Sequence, residues 1–175
     1  ANAVTITQSG GTAFNSTVNA ATLTITDTTD AATVSFADNL TLTTGMTVSN
    51  AGSDLYNVSI TGTTNSIAGI TTFANGGTVT IGDTSGDSTT FAGGVNVTGP
   101  SALNIAGAIT TTTGNQSYAG PVTLKGNTTL TANTGYALNF DGSATFDSVV
   151  NCGAVPIGTS FTLAAWVKVA DYYVA

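Results

Sequence analysis

A repeat of roughly 20 residues constrains this chain more than any other feature of its sequence. In each repeat an aromatic residue and a few small or polar residues precede a short strand of alternating apolar and polar side chains, as at Phe36 before 40–43 and Phe73 before 78–82. A unit this short cannot bury its own apolar side, whereas stacked units bury a continuous column. The repeat therefore predicts a β-solenoid. Its aromatic positions are 14, 36, 56, 73, 91 and 118, so the intervals between them are unequal.

The alternation within each strand predicts which side chains face inward. In residues 22–26, Leu23 and Ile25 point to one side and the three threonines to the other. We expect the apolar set to line the interior, with the aromatic side chains stacked inside near the corners. Threonine contributes 37 of the 175 residues, and its branched Cβ favours extended backbone. The chain is predicted to be all-β, with almost no helix.

The repeat count predicts six or seven coils, and at about 4.8 Å per coil these would form a rod about 30 Å long. Residues 82–88 are the clearest loop. The segment 99–121 is expected to hold an extra coil, with short strands at 102–105 and 108–110.

The segment 116–131, QSYAGPVTLKGNTTLT, resembles the repeat unit of filamentous-haemagglutinin-like and autotransporter-like bacterial adhesins. The resemblance extends over residues 3–135. It implies a right-handed parallel β-helix that is exported to the cell surface. Residues 1–135 are accordingly expected to form the solenoid, followed by a short β region, and the localisation is expected to be extracellular.

The composition changes after Gly135. Residues 136–143 (YALNFDGS) and 158–168 (GTSFTLAAWVK) resemble the opening of a laminin-G-like, concanavalin-type domain. Residues 136–175 are therefore predicted to be an incomplete jelly-roll-like segment or a capping or docking β segment. Three interpretations stay open: a fragment of a longer protein, further solenoid strands or a cap, and strands that pair with a neighbouring chain.

The charged residues are few and almost all acidic. Two lysines and nine aspartates give a net charge of −7, and charged residues make up 6% of the chain, against a usual share of about 25%. The near-absence of basic side chains argues against nucleic acid and anionic membrane surfaces as partners. No apolar run is long enough to span a bilayer, so no membrane insertion is expected. Cys152 is the single cysteine and forms no internal disulfide.

No enzyme active site is predicted. Without His or Glu, acid–base chemistry would fall to Asp, Tyr or Lys. Asp27 and Asp30 are close in sequence, as are Asp83 and Asp87, but both pairs lie in turn-rich segments where Asp accepts hydrogen bonds from backbone amides. Asp83 and Asp87 are also the weak candidates for a calcium site, because carboxylates and loop carbonyls suit that ion. Their spacing is too sparse for known calcium loops, so we expect neither a metal nor another cofactor.

Thr-x-Thr pairs suggest a second kind of surface. On a flat solenoid face such pairs can order water and bind ice, although threonine is also simply a good exposed strand residue. The sequence alone does not show whether the pairs align. The candidate pairs are Thr22/Thr24, Thr41/Thr43, Thr78/Thr80 and Thr129/Thr131.

The leading hypothesis is a non-catalytic structural or adhesive segment of a secreted bacterial surface protein. It would serve as a stalk or as a self-assembling extracellular fibre whose copies contact each other end to end. The alternative is a binding module for surface glycans, through the C-terminal region, or for ice. A polysaccharide-acting enzyme is the third reading.

Overall fold

A computed structural model describes residues 2–133, 138–140 and 144–146. These residues form sixteen short strands and no helix, and therefore no helix long and apolar enough to cross a membrane. The strands are β1 (Ala3–Ile6), β2 (Thr12–Phe14), β3 (Val18–Ile25), β4 (Thr33–Phe36), β5 (Leu40–Val48), β6 (Asn57–Ile60), β7 (Thr64–Ile67), β8 (Thr71–Phe73), β9 (Thr78–Ile81), β10 (Ser88–Phe91), β11 (Val95–Val97), β12 (Ala102–Thr111), β13 (Gln116–Tyr118), β14 (Val122–Ala132), β15 (Leu138–Phe140) and β16 (Ala144–Phe146).

The strands stack into three faces of a β-solenoid, and the chain visits each face once per turn. The first face holds β1, the second halves of β3 and β5, then β8, β11, β13 and β15. The second face holds β2, β4, β6, β9, the first halves of β12 and β14, and β16. The third face holds the first halves of β3 and β5, then β7, β10 and the second halves of β12 and β14.

The strand pairing confirms the parallel β-solenoid predicted from the sequence. Every pairing among the described strands is parallel, and the stack comprises about six turns. On the first face one turn runs from Ala3 to its partner Thr22, whereas a later and longer one runs from Met46 to its partner Thr71. The turns therefore vary in length while the strands stay in register.

Apolar columns that run along the stack form most of the interior. On the second face, Ile60, Ile81 and Ile105 lie directly above one another and are each 0% exposed. Leu23 and Ile25 are buried as predicted, while the threonines beside them are partly exposed. Each fully buried aliphatic side chain of this kind contributes about 1.5–3 kcal/mol.

The aromatic side chains lie inside as expected, but they do not mark the start of a turn. Phe14 and Phe36 do pair in register, with nearly parallel rings 4.9 Å apart. By contrast, Phe73 lies on the first face, Phe91 on the third and Tyr56 in the loop before β6. A large ring can fill the interior from any face, so the aromatic spacing does not measure the turn.

The expectation of an extra coil in 99–121 is wrong. Val97 pairs directly with Tyr118, so the chain between them completes a single turn. The two predicted short strands are one long strand, β12, which changes register between Ala106 and Gly107 where it rounds a corner. Gly107 has a positive φ of 73°, and a Cβ there would overlap the carbonyl oxygen of Asp87. Only glycine fits this corner.

Asparagine side chains tie neighbouring turns together at the corners. The Asn57 side chain accepts a hydrogen bond from the Thr78 amide (2.8 Å) and donates one to the Ala31 carbonyl (3.3 Å), so it bridges three turns. The buried Asn65 accepts a hydrogen bond from the Leu40 amide at 3.0 Å and donates one to the Gly62 carbonyl at 2.7 Å. These contacts satisfy backbone groups that the strand ladders leave unpaired at the corners.

The strand pairing continues past residue 135. The strand β15 pairs in parallel with β13, and β16 with β14, so both extend faces already present. The remaining residues predicted as a jelly-roll-like, capping or docking segment, including Cys152 and most of the laminin-G-like stretch, lie outside the described residues.

The inward and outward assignment predicts opposite effects for two adjacent residues. Ile81→Ala should lower the free energy of unfolding by about 2–5 kcal/mol, because it leaves a cavity in the central column. Thr80→Val on the outer side should change it by less than about 0.5 kcal/mol. Urea unfolding followed by circular dichroism measures both. Equal losses in the two variants would contradict the assignment.

Candidate functional site

The loop 82–87 places the two candidate aspartates side by side between β9 and β10. The Asp87 side chain is only 5% exposed. One of its oxygens accepts hydrogen bonds from the amides of Asp83 (2.8 Å) and Thr84 (2.9 Å), and the other accepts one from the Thr84 hydroxyl (3.0 Å). The prediction that aspartates in these turns accept amide hydrogen bonds is confirmed here.

The two carboxyls differ in their electrostatics. Burial and the neighbouring Asp87 carboxyl raise the pKa of Asp83. Burial alone would also raise the pKa of Asp87, but the amide donors of Asp83 and Thr84 outweigh it and hold that pKa below its usual value. Asp87 therefore holds the loop as a charged acceptor, and Asp83 is the first of the two to take up a proton.

The loop offers few ligands for a metal ion. Asp83 and Asp87 lie together, but in the part of the chain that the structure describes no group of three or more carboxylate, imidazole or thiol side chains converges. Both oxygens of Asp87 are already occupied by protein donors. Calcium at Asp83 and Asp87 stays a weak prediction.

The other aspartate pair is also engaged with the backbone. Asp27 accepts a hydrogen bond from the Thr28 amide at 2.9 Å, and Asp30 accepts one from the Leu55 amide at 2.7 Å. Nearby, the Tyr56 hydroxyl donates to the Ser49 carbonyl. Burial, and then the Asp27 charge, raise the pKa of Tyr56 to about 12. Both carboxylates thus stabilise turns, as the sequence predicted.

A shallow groove lies at the corner between the third and first faces, and sequence analysis did not identify it. Its volume is about 430 Å³. Ile70, which is 68% exposed, lines the groove together with the polar side chains of Asn96 and Ser117. A Cβ on Gly93 or Gly114 would overlap the backbone of the adjacent turn, so stacking itself requires these glycines. The groove thus combines one exposed aliphatic side chain with an amide and a hydroxyl group.

The Thr-x-Thr pairs singled out in the sequence do not form one surface. Thr22/Thr24 lies on the first face, Thr78/Thr80 on the second and Thr129/Thr131 on the third, and Thr43 of the remaining pair lies where β5 passes between two faces. The structure aligns other residues instead. Along the middle of the third face, the outward-facing side chains Thr41, Ser66, Thr90, Thr110 and Thr131 are paired in direct succession.

Comparison of the chain with protein-family models, with curated proteins and with solved structures finds no match. The geometry of the solenoid, its corners and its faces therefore carries the functional proposals.

The Asp87 hydrogen bonds predict a pH-dependent contribution to stability. Asp87→Ala should lower the free energy of unfolding by about 1–3 kcal/mol near neutral pH, because it removes the acceptor of three hydrogen bonds. The pKa of Asp87 is lower in the folded protein than in the unfolded chain. Its contribution to stability is therefore fully present above the pKa of an aspartate in the unfolded chain, ~4, and is lost as the pH falls through the lower pKa of the folded protein. Urea unfolding at neutral and acidic pH should show the difference between wild type and variant shrinking in acid.

The control for this prediction is Asp83→Ala. Because the pKa of Asp83 is raised in the folded protein, removal of its carboxylate should leave stability at neutral pH unchanged or slightly higher. A larger loss for Asp83→Ala than for Asp87→Ala would contradict the assigned roles.

Proposed function

We propose that this chain is a non-catalytic structural segment of an extracellular bacterial surface protein, and that its solenoid serves as a stalk. The observation that carries the proposal is the continuity of the stack. Each turn is joined to its neighbours by parallel strand ladders on all three faces. Such a column holds its two ends apart at a fixed distance, about 29 Å for six turns at ~4.8 Å per turn.

The placement of charge supports a structural role. The aspartates of the described residues lie in corners and loops, where Asp27, Asp30, Asp38 and Asp87 accept backbone amide hydrogen bonds. These carboxylates are engaged in holding turns, whereas a glycosidase needs a pair of carboxyl groups facing a shared substrate cleft.

The first turn has partly exposed apolar side chains and strand edges to which a further turn could pair. Val4, Phe14 and Val18 are packed against the core but remain partly exposed. The outer edges of β1 and β2 have no strand beside them among the described residues. Unpaired parallel edges with an apolar interior are a template for another turn. That turn would come from the same polypeptide or from a second copy, as in an end-to-end fibre.

Single-molecule stretching tests the stalk role. When the chain is held by its two ends, we expect resistance to load, followed by release one turn at a time, in steps of roughly 20 residues. Each step corresponds to about 70 Å of extended chain. Terminal turns should peel first, because each turn is held only by its neighbours.

A covalent link provides the control. Ser59 and Thr80 pair in register on the second face, so Ser59→Cys with Thr80→Cys, in a Cys152→Ser background, should form a disulfide between adjacent turns. Oxidation should remove the enclosed residues from the measured extension, and reduction should restore them. Extension without resistance would contradict the stalk role, and cleavage of a polysaccharide that Asp87→Ala abolishes would contradict a non-catalytic one.

The corner groove favours a glycan-binding module as the second candidate function. An exposed aliphatic side chain in the same groove as amide and hydroxyl groups suits the apolar and polar sides of a sugar ring. Ile70 provides the first, and Asn96 and Ser117 provide the second.

A glycan array tests this candidate with a matched pair of variants. Ile70→Ser should weaken binding of a retained neutral glycan by about tenfold, which corresponds to ~1.4 kcal/mol. Leu55→Ser should leave binding unchanged, because Leu55 is similarly exposed, at 58%, but does not line the groove. Equal effects of the two variants, or no glycan retained, would exclude the groove as the binding site.

A further inference from the structure

The third face of the solenoid carries a regular array of outward-facing hydroxyl groups. Strand register defines two columns along this face, and within one strand the two columns are two residues apart. We call their members the hydroxyl array. One column is Thr41, Ser66, Thr90, Thr110 and Thr131, which follows Asn19 at the start of the face, and the other is Thr64, Ser88, Ala108 and Thr129, in which Ala108 is the one member without a hydroxyl.

The hydroxyls of the array differ from those at the corners in their hydrogen bonding. At the corners, Thr98 donates to the Phe73 carbonyl (3.3 Å), and Thr113 donates to the Ala92 carbonyl (2.8 Å). Within the described part of the chain, no side-chain hydroxyl of the array makes a hydrogen bond to protein. The array therefore presents its donors and acceptors to solvent in a fixed order.

The spacing of the array fits a tetrahedral water network. Adjacent parallel strands place successive hydroxyls about 4.8 Å apart. Two waters that are hydrogen-bonded at ~2.75 Å to a common third water lie about 4.5 Å apart when the angle is tetrahedral. The difference of about 0.3 Å per step grows to only ~1.2 Å over the four steps from Thr41 to Thr131, less than half a hydrogen-bond length.

The other two faces do not present two adjacent columns of this kind. On the first face, four threonines (Thr5, Thr24, Thr47 and Thr72) align in the middle column before Asn96 ends the run. The position beside Thr47 is Gly45, and Ile70 projects beside Thr72 at 68% exposure, so the hydroxyls there form a single column. On the second face, the middle column is interrupted by Asn104, which lies between Thr80 and Thr123.

The surface chemistry indicates which ligand the array fits. A crystalline polysaccharide would be expected to stack its sugar rings on exposed aromatic side chains, but within residues 2–133 every aromatic ring is buried or, at Phe14, partly buried. No charged side chain belongs to the array, so no strongly hydrated ion interrupts it. From the spacing, the free hydroxyls and this neutrality, we propose that the third face binds ice.

The binding follows from the same geometry. Each threonine offers a hydroxyl that replaces a lattice water and a methyl group that excludes disordered water from the interface. Because the strands hold the side chains in place before contact, little conformational entropy is lost when ice forms against them.

Incorporation into a slowly growing ice hemisphere tests the proposal. The wild-type chain should enter the ice, and Thr90→Tyr with Thr110→Tyr should lose this incorporation, because two adjacent bulky rings disrupt the centre of the array. The control is Thr47→Tyr with Thr72→Tyr, which are likewise paired on adjacent turns but lie on the first face; it should enter as the wild type does. Circular dichroism and urea unfolding establish that both variants are folded.

Two outcomes would overturn the proposal: exclusion of the folded wild-type chain from ice, and equal loss of incorporation in the two double variants. Retention on crystalline cellulose or chitin of a chain that is excluded from ice would identify a polysaccharide surface instead. Stretching reports on the turns and not on the third face. Failure of the stalk role and failure of ice binding are therefore distinguishable.

Discussion

The parallel ladder between successive turns is the constraint on which the rest of this structure depends. It fixes the Cα of each strand residue against one counterpart in the turn before and one in the turn after, as Ile81 is fixed between Ile60 and Ile105. Because no turn can bury its interior alone, stability arises between turns rather than within them. The apolar columns, the stacked rings of Phe14 and Phe36 and the outward hydroxyls are all consequences of that register.

The corners accommodate the differences in turn length that the strand register does not permit. Turn length on the first face varies, since the turn that ends at Thr71 is longer than the one that ends at Thr22, yet the pairing resumes after every corner. Three kinds of residue make this possible. Gly107 adopts a positive φ, Asp87 accepts hydrogen bonds from backbone amides, and the Asn57 side chain bridges neighbouring turns. The aspartates of the described residues therefore lie in the corners and loops, and the hydroxyl array of the third face is neutral. This division separates the polar groups that hold the fold from those that are available for contact.

The sequence predicts well which side of a strand each side chain faces and which residues form turns. It predicts poorly which residues align on adjacent turns. Alternation in residues 22–26 correctly placed Leu23 and Ile25 inside, and the loop at Asp87 was correctly assigned to turn stabilisation. The aromatic spacing did not give the length of a turn, since Phe73 and Phe91 occupy different faces. The Thr-x-Thr pairs were likewise scattered over the faces. Both failures have one cause: strand alternation fixes only the direction of a side chain, whereas corner length decides which residues lie next to each other.

The same property explains how an ordered surface can exist on a chain without a strict sequence repeat. Insertion of a residue within a strand would reverse every side chain beyond it, whereas insertion at a corner leaves the register intact. Thr90, Thr110 and Thr131 are unequally spaced in the sequence but lie on adjacent turns in one column. The ladder therefore orders the outward columns as strictly as the inward ones. A packing rule that aligns the core also aligns whatever the surface presents to water.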